Sequence, residues 1–161
     1  MLGKAMFTSM VDYHGKANER LLELAATLPD DVLDQPLTDG GRSMRLTFRH
    51  MSAADGRWRS FLETHERKWV DGVDDQYATI VELANIQAAE TGALAMWLDS
   101  QTEAELLEPV EIIWDGESYM MAPWHGLLQL LLHGQQHRSE IAMAMTRLGK
   151  SPNDLDYIMY V

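Results

Sequence analysis

His133 and His137 carry the clearest chemical potential in this sequence. They stand four residues apart in His133-Gly-Gln-Gln-His137, within a stretch whose apolar residues recur at helical spacing. On a wheel of about 100° per residue, Leu130, Ile141, Ala144 and Leu148 mark one direction, and both histidines point with them. His125 falls on the opposite side. Residues i and i+4 of a helix stand one above the other, so the two inward rings can aim their nitrogens at a shared point. Two unpaired imidazoles among Leu, Met and Ala would be costly. They are expected either to bond carbonyls or carboxylates, or to hold a metal ion.

His50 is the third candidate. It shares a helix direction with Leu46, Ala54, Arg57 and Phe61, at the edge of an apolar stripe. Alone it reads equally as a boundary histidine; it becomes a ligand if its helix neighbours the one carrying His133 and His137. Three imidazoles would leave positions open for water or substrate, as in a reactive metal centre. Zinc, nickel, iron or cobalt suit neutral nitrogen ligands, whereas magnesium and calcium prefer oxygen. Water on such an ion can reach a pKa near ~7 and act as nucleophile or base. Glu140 flanks His133 on the wheel and is the nearest carboxylate in sequence that could orient an imidazole or accept a proton; contact with solvent or Arg138 is the bland alternative. Gly134 stands where the HExxH metallopeptidases carry their catalytic glutamate, which argues against a peptidase. The chain has no cysteine, so a thiolate nucleophile, a disulfide framework and a Cys-rich zinc site are all excluded.

The elements that must position these side chains are helices. Met6, Met10, Tyr13, Ala17, Leu21, Leu24 and Leu28 recur at three- and four-residue steps, predicting a first helix that Pro29 stops near Leu28. Residues 30–43, with Pro36 and Gly40-Gly41, read as a long connection. A second helix begins near Leu46 and runs through Phe61, and a third begins near Gln76 and carries Ile80, Ala84, Gln87, Thr91, Leu94 and Leu98 on one stripe. Gln87 and Thr91 must either hydrogen-bond inside the bundle or border a wet cavity. Val110–Trp114, Asp115-Gly116 and Glu117–Met121 form a β-hairpin pattern, with Trp114 and Tyr119 as its anchors against the helices. Pro123 starts the last helix, and Gly149 and Pro152 end it.

At 161 residues the chain has the size of one domain. Its 13 basic and 25 acidic residues give a net charge of -12, which repels phosphate backbones and argues against nucleic acid as a partner. Arg42, Arg45, Arg49, Arg57 and Arg59 concentrate positive charge locally, either as a solvated face with loop anchors or as a mouth that attracts an anion. No apolar run approaches the roughly 18 to 20 residues that span a bilayer, and no signal-like segment precedes Asp12. A cytoplasmic protein without membrane contact is expected.

These features together resemble the DinB family of metal-dependent four-helix-bundle proteins. The resemblance is carried by Tyr13-His-Gly-Lys-Ala17-Asn18-Glu-Arg-Leu21-Leu22, by Leu46-Thr-Phe-Arg-His50 and the residues to Trp58, and by His133-Gly-Gln-Gln-His137-Arg138-Ser-Glu-Ile141; Gly149, Pro152 and Asp156 resemble the family's ending. It implies an all-α fold: one domain over residues 1–161, an up-down four-helix bundle with a short β-hairpin before the last helix. It also implies that His50, His133 and His137 form a metal triad and that the protein pairs as a homodimer. Where the family often has Gly-Gln after His-Arg, this chain has Ser139-Glu140, which sets a carboxylate beside the site. The family includes transferases and isomerases that use low-molecular-weight thiols. The expected function is therefore a divalent-metal-dependent enzyme acting on a small molecule, with transfer of a small thiol slightly ahead of hydrolysis. A noncatalytic metal- or ligand-binding stress protein and a metal-free structural bundle are the alternatives.

Overall fold

The computed structural model describes residues 3–67 and 77–161. Its elements in order are α1 (Lys4–Ala25), α2 (Asp30–Leu33), α3 (Met44–Thr64), α4 (Ile80–Ser100), α5 (Glu103–Leu107), β1 (Val110–Trp114), β2 (Glu117–Met121) and α6 (Pro123–Arg147), followed by a 3-10 turn at Tyr157–Met159. The four long helices form the expected bundle, and the antiparallel hairpin precedes the last of them.

Local chemistry sets the ends of the helices. Ser43 caps α3 by accepting from the Leu46 amide at 3.2 Å, and Thr79 and Thr102 open α4 and α5 with capping boxes closed by Glu82 and Glu105. The Thr79 cap starts α4 at Ile80, later than the predicted start near Gln76, a residue outside the described set. α1 ends at Ala25, short of Leu28, because Thr27 and Leu28 bond back only three residues and turn the chain into Pro29. The short helix α2 lies in the stretch read as a connection, and α5 lies between the third predicted helix and the hairpin; at four and five residues they are too brief to show periodicity. Asp115 and Gly116 take φ of 52° and 84°, the two positive values that a tight hairpin turn requires.

Two apolar clusters fill the bundle. One gathers Phe7, Val11, Leu62, Leu94, Leu98, Leu127 and Leu130; the other gathers Leu21, Leu22, Phe48, Met51, Leu83, Ile141 and Met145. Phe7 lies with Leu127 and Leu22 with Ile141, so α1 and α6 run parallel. Arg45 reaches Ala78 and Ser52 reaches Gln87, so α3 and α4 run parallel too. Lys4 at the start of α1 bonds the Asp99 carbonyl near the end of α4, and Leu62 faces Gly126 while His50 faces His133. These two pairs are antiparallel, and they refine the helix order to up, down, down, up. Residues 26–43, between α1 and α3, and residues 101–122, between α4 and α6, join helices that do not pack side by side, so they carry the chain diagonally across the bundle ends.

The hairpin buttresses one end. Trp114 packs at 5.9 Å from Trp58 and 5.7 Å from Phe61, and Ile112 is buried, as an anchor must be. Tyr119 does not anchor it: the ring is 49% exposed and its hydroxyl donates to Glu117. Strand alternation puts Tyr119 opposite Ile112 in register, but the strand β2 has no buried face for it to use. Leu148, expected in the core, sits at the C-cap of α6 beyond the last packed turn and is exposed.

Candidate metal centre

α3 and α6 are neighbours, and their packing brings His50, His133 and His137 together. The Nε2 of His133 lies 3.1 Å from that of His50 and 3.2 Å from that of His137. A metal–nitrogen bond of about 2.05 Å in tetrahedral geometry separates neighbouring ligand nitrogens by about 3.3 Å, so this spacing suits a shared ion. It does not suit a simple hydrogen-bonded cluster, because one ring nitrogen holds either a proton or a lone pair, and His133 Nε2 faces two partners.

The protonation of the rings agrees. His137 Nδ1 donates to Glu140 Oε2 at 2.7 Å, which leaves its Nε2 as a lone pair pointed at the other two rings. Burial, reinforced by the neighbouring His137 and His50, pushes His133 down to about 4, so near neutrality its ring is uncharged and able to ligate. Glu140 thus serves His137, not His133 as its wheel position suggests; its side chain remains 44% exposed. His137 is buried while His50 and His133 are partly exposed, so solvent reaches one side of the cluster. His125 faces outward, as read from the wheel.

Beside the triad lies a belt of buried polar residues, of which the sequence reading had singled out only Gln87 as a buried hydrogen-bonding candidate. His14, Asn18, Ser52, Asp55, Gln87 and Arg138 are all nearly inaccessible and lie between the two apolar clusters. Asp55 Oδ2 accepts from His14 Nε2 at 2.9 Å and from Gln87 Nε2 at 2.5 Å, and Ser52 donates to Gln87 Oε1 at 3.0 Å. Arg138 Nη1 donates to His14 Nδ1 at 2.9 Å and to Asn18 Oδ1 at 3.0 Å. Because Nδ1 accepts from a guanidinium, His14 carries its proton on Nε2 and gives it to Asp55. Burial pushes the Arg138 guanidinium down, against the support of Tyr13 and Asp55. The available signal was His14 and Asn18 at helical steps from Phe7, Val11 and Leu21, polar residues on an apolar stripe.

Gly134 has a steric reason to be glycine. A Cβ there would come 2.8 Å from His14 Nδ1 and closer still to Cε1, with Arg138 Nη1 at 3.1 Å. The position at which a metallopeptidase carries glutamate is here filled by the ring of His14.

Gln87 therefore bonds inside the bundle, one of its two expected roles, and Thr91 borders a groove between α1 and α4. That groove, about 1040 Å³ and lined largely by small residues, lies on the other side of the bundle from the triad and does not define the site. Among the arginines, Arg45 is a buried anchor, bonding Asp34 at 2.7 Å and Asp30 at 2.5 Å, while Arg59 pairs with Glu90 and Glu63 at 2.8 Å. No helix among the described residues is long and apolar enough to cross a membrane.

Comparison with known proteins agrees with this architecture. A model of the DinB family matches residues 1–161. Among solved structures, the chain is similar to YfiT from Bacillus subtilis, described as a probable metal-dependent hydrolase with an unusual four-helix bundle topology. That match has a TM-score of 0.74 at 16% identity over 94% of this chain and 92% of that one. It is also similar to the DinB-like protein YjoA from Bacillus subtilis, with a TM-score of 0.68 at 14% identity over 89% of this chain and 92% of that one. No curated protein matches it by sequence.

Proposed function

The chain belongs to the DinB family, and on that footing we propose that it is a divalent-metal-dependent enzyme acting on a small molecule, with the ion held by His50, His133 and His137. The observation that carries this reading is the convergence of three Nε2 atoms at 3.1–3.2 Å around His133, on a side of the bundle that solvent reaches. The all-nitrogen donor set favours zinc or nickel, with iron and cobalt next, over magnesium or calcium. When bound, such an ion would supply Lewis acidity to activate a water or a small thiol.

The chain's own residues prepare the site for that role. Glu140 fixes the ring of His137 through Nδ1 and keeps its Nε2 lone pair inward, so we assign it to positioning. Burial keeps His133 neutral and ready to ligate without first losing a proton. His50 and His133, at the exposed side, border the position where a substrate would enter.

Hydrolysis is the reading that the likeness to YfiT supports, since that protein is described as a probable metal-dependent hydrolase. Thiol transfer, implied by the family resemblance, uses the same centre; with no cysteine in the chain, the thiol must arrive as a low-molecular-weight cofactor. The test loads the purified protein with zinc or nickel and assays small ester, amide and electrophilic substrates with and without a low-molecular-weight thiol. Turnover without thiol supports hydrolysis, and turnover only with thiol supports transfer. No turnover with the metal retained supports the noncatalytic binding role. Full activity in verified metal-free protein contradicts the proposal.

A further inference from the structure

Among the described residues, and besides Arg138 Nε, which the His14 ring separates from Asp55, two buried atoms of opposite polarity lie without partners near the triad. Asp55 is 4% exposed; its Oδ2 accepts from both His14 and Gln87, while its Oδ1 has no partner. His133 Nδ1 is likewise buried and unpartnered. The first is an acceptor. The second must be a donor if His133 is to present its Nε2 lone pair to His50 and His137, because a neutral imidazole carries one proton.

The fold brings the two to the same level. α3 and α6 run antiparallel in a register that sets Leu62 against Gly126 and His50 against His133 and His137, which places Asp55 opposite the turn of α6 that ends at His133. His14 confirms that placement from a third helix: its ring lies against Gly134 while its Nε2 bonds Asp55.

We propose that Asp55 is the positioning carboxylate of His133, its Oδ1 accepting the His133 Nδ1 proton through one buried water, as Glu140 accepts that of His137 directly. A buried water needs at least two polar partners, and these two groups offer an acceptor and a donor that are otherwise unsatisfied. The site requires a carboxylate, because both oxygens must accept: Oδ2 already holds two donors, and Oδ1 takes the third. An asparagine would present an NH2 group to one side or the other. His14, itself fixed by Asn18 and Arg138, then has the purpose of holding Asp55 in one orientation against the triad. This inference rests on the metal reading of the triad for its consequence, though not for its geometry.

The first test needs no variant and no metal. Nitrogen-15 NMR of the histidine rings in the metal-free wild-type protein at neutral pH reads which nitrogen of His133 carries the proton. The expected result is the Nδ1–H tautomer with a slowly exchanging proton, and a predominantly Nε2–H ring overturns the proposal. The second test compares Asp55→Asn with Gln87→Leu, which perturbs the same network without touching Oδ1. Asp55→Asn should lose the slow His133 proton and weaken zinc binding about 10- to 100-fold. Gln87→Leu should lower stability but keep the proton and hold zinc affinity within about threefold. Equal effects of both variants on affinity reduce Asp55 to a structural role and overturn the proposal. If the wild-type protein takes up no zinc or nickel at all, the metal reading fails, while the tautomer of His133 still decides this one.

Discussion

Replacing Gly134 with alanine sets two physical effects against each other. Gly134 lies in the interior of α6, where alanine is favoured over glycine by about 1 kcal/mol through its lower backbone entropy cost. Intrinsic propensity alone predicts a more stable protein. The structure predicts the reverse, because the new methyl would fall 2.8 Å from His14 Nδ1 and 3.1 Å from Arg138 Nη1. His14 has no free space to retreat into, since its ring is fully buried between Asp55 and Arg138, each bonded to it at 2.9 Å. Overpacking of this kind costs about 1–3 kcal/mol. Displacing the ring also breaks one buried hydrogen bond to a charged group, worth about 1.5–3 kcal/mol. With the propensity gain subtracted, Gly134→Ala should destabilise the fold by about 3 kcal/mol, which in a domain of this size lowers the melting temperature by roughly 6–12 °C. Scanning calorimetry and urea denaturation of the metal-free protein measure it directly. An unchanged or raised midpoint would mean that the His14 ring is not fixed against α6, and the polar belt would lose its role as a rigid support.

Other outcomes follow from the same geometry. Metal-free protein should lose stability as pH falls from about 6.5 toward about 4, because His133 is held to about 4 in the fold while an unfolded histidine titrates near ~6.5; the unfolded chain then binds more protons throughout that window. A flat pH profile of the urea midpoint between pH 7 and 4.5 would contradict this. Glu140→Gln should keep the fold but weaken metal binding about 10-fold or more, since the amide is a poorer acceptor for His137 Nδ1; calorimetric titration with zinc reads it, and unchanged affinity would leave Glu140 as a surface residue. Light scattering over a concentration series should give about twice the mass of the 18.3 kDa chain, as expected for a homodimer, and a monomer at high micromolar concentration would reject that state.

The sequence disclosed what depends on periodicity and local chemistry. Four amphipathic stretches, the Asp115-Gly116 turn and Pro123 at the head of α6 marked the bundle and hairpin, because each signal is written within a few neighbouring residues. His133 and His137 were legible for the same reason. What stayed hidden depends on contacts between helices. Asp55 is one acidic residue on a helix until α1 and α4 bring His14 and Gln87 to it, and Arg45 looks like one of several surface arginines until α2 sets Asp30 and Asp34 around it. The role of Glu140 differed by one partner because the wheel gives direction but not the reach of a side chain; Glu140 stands three residues after His137, and its carboxylate bonds that ring. The parallel packing of α1 with α6 has no local signal at all, since it arises from how the long connections cross the bundle.

The most direct measurement of the central claim is metal stoichiometry and affinity on protein purified without an affinity tag, for the wild type and the single His50→Ala, His133→Ala and His137→Ala variants. The account predicts one zinc or nickel ion per chain in the wild type and a loss of affinity of at least about 10-fold in each variant, with the helical circular dichroism signal retained. Unchanged affinity after His137→Ala, the most buried of the three histidines, would contradict it.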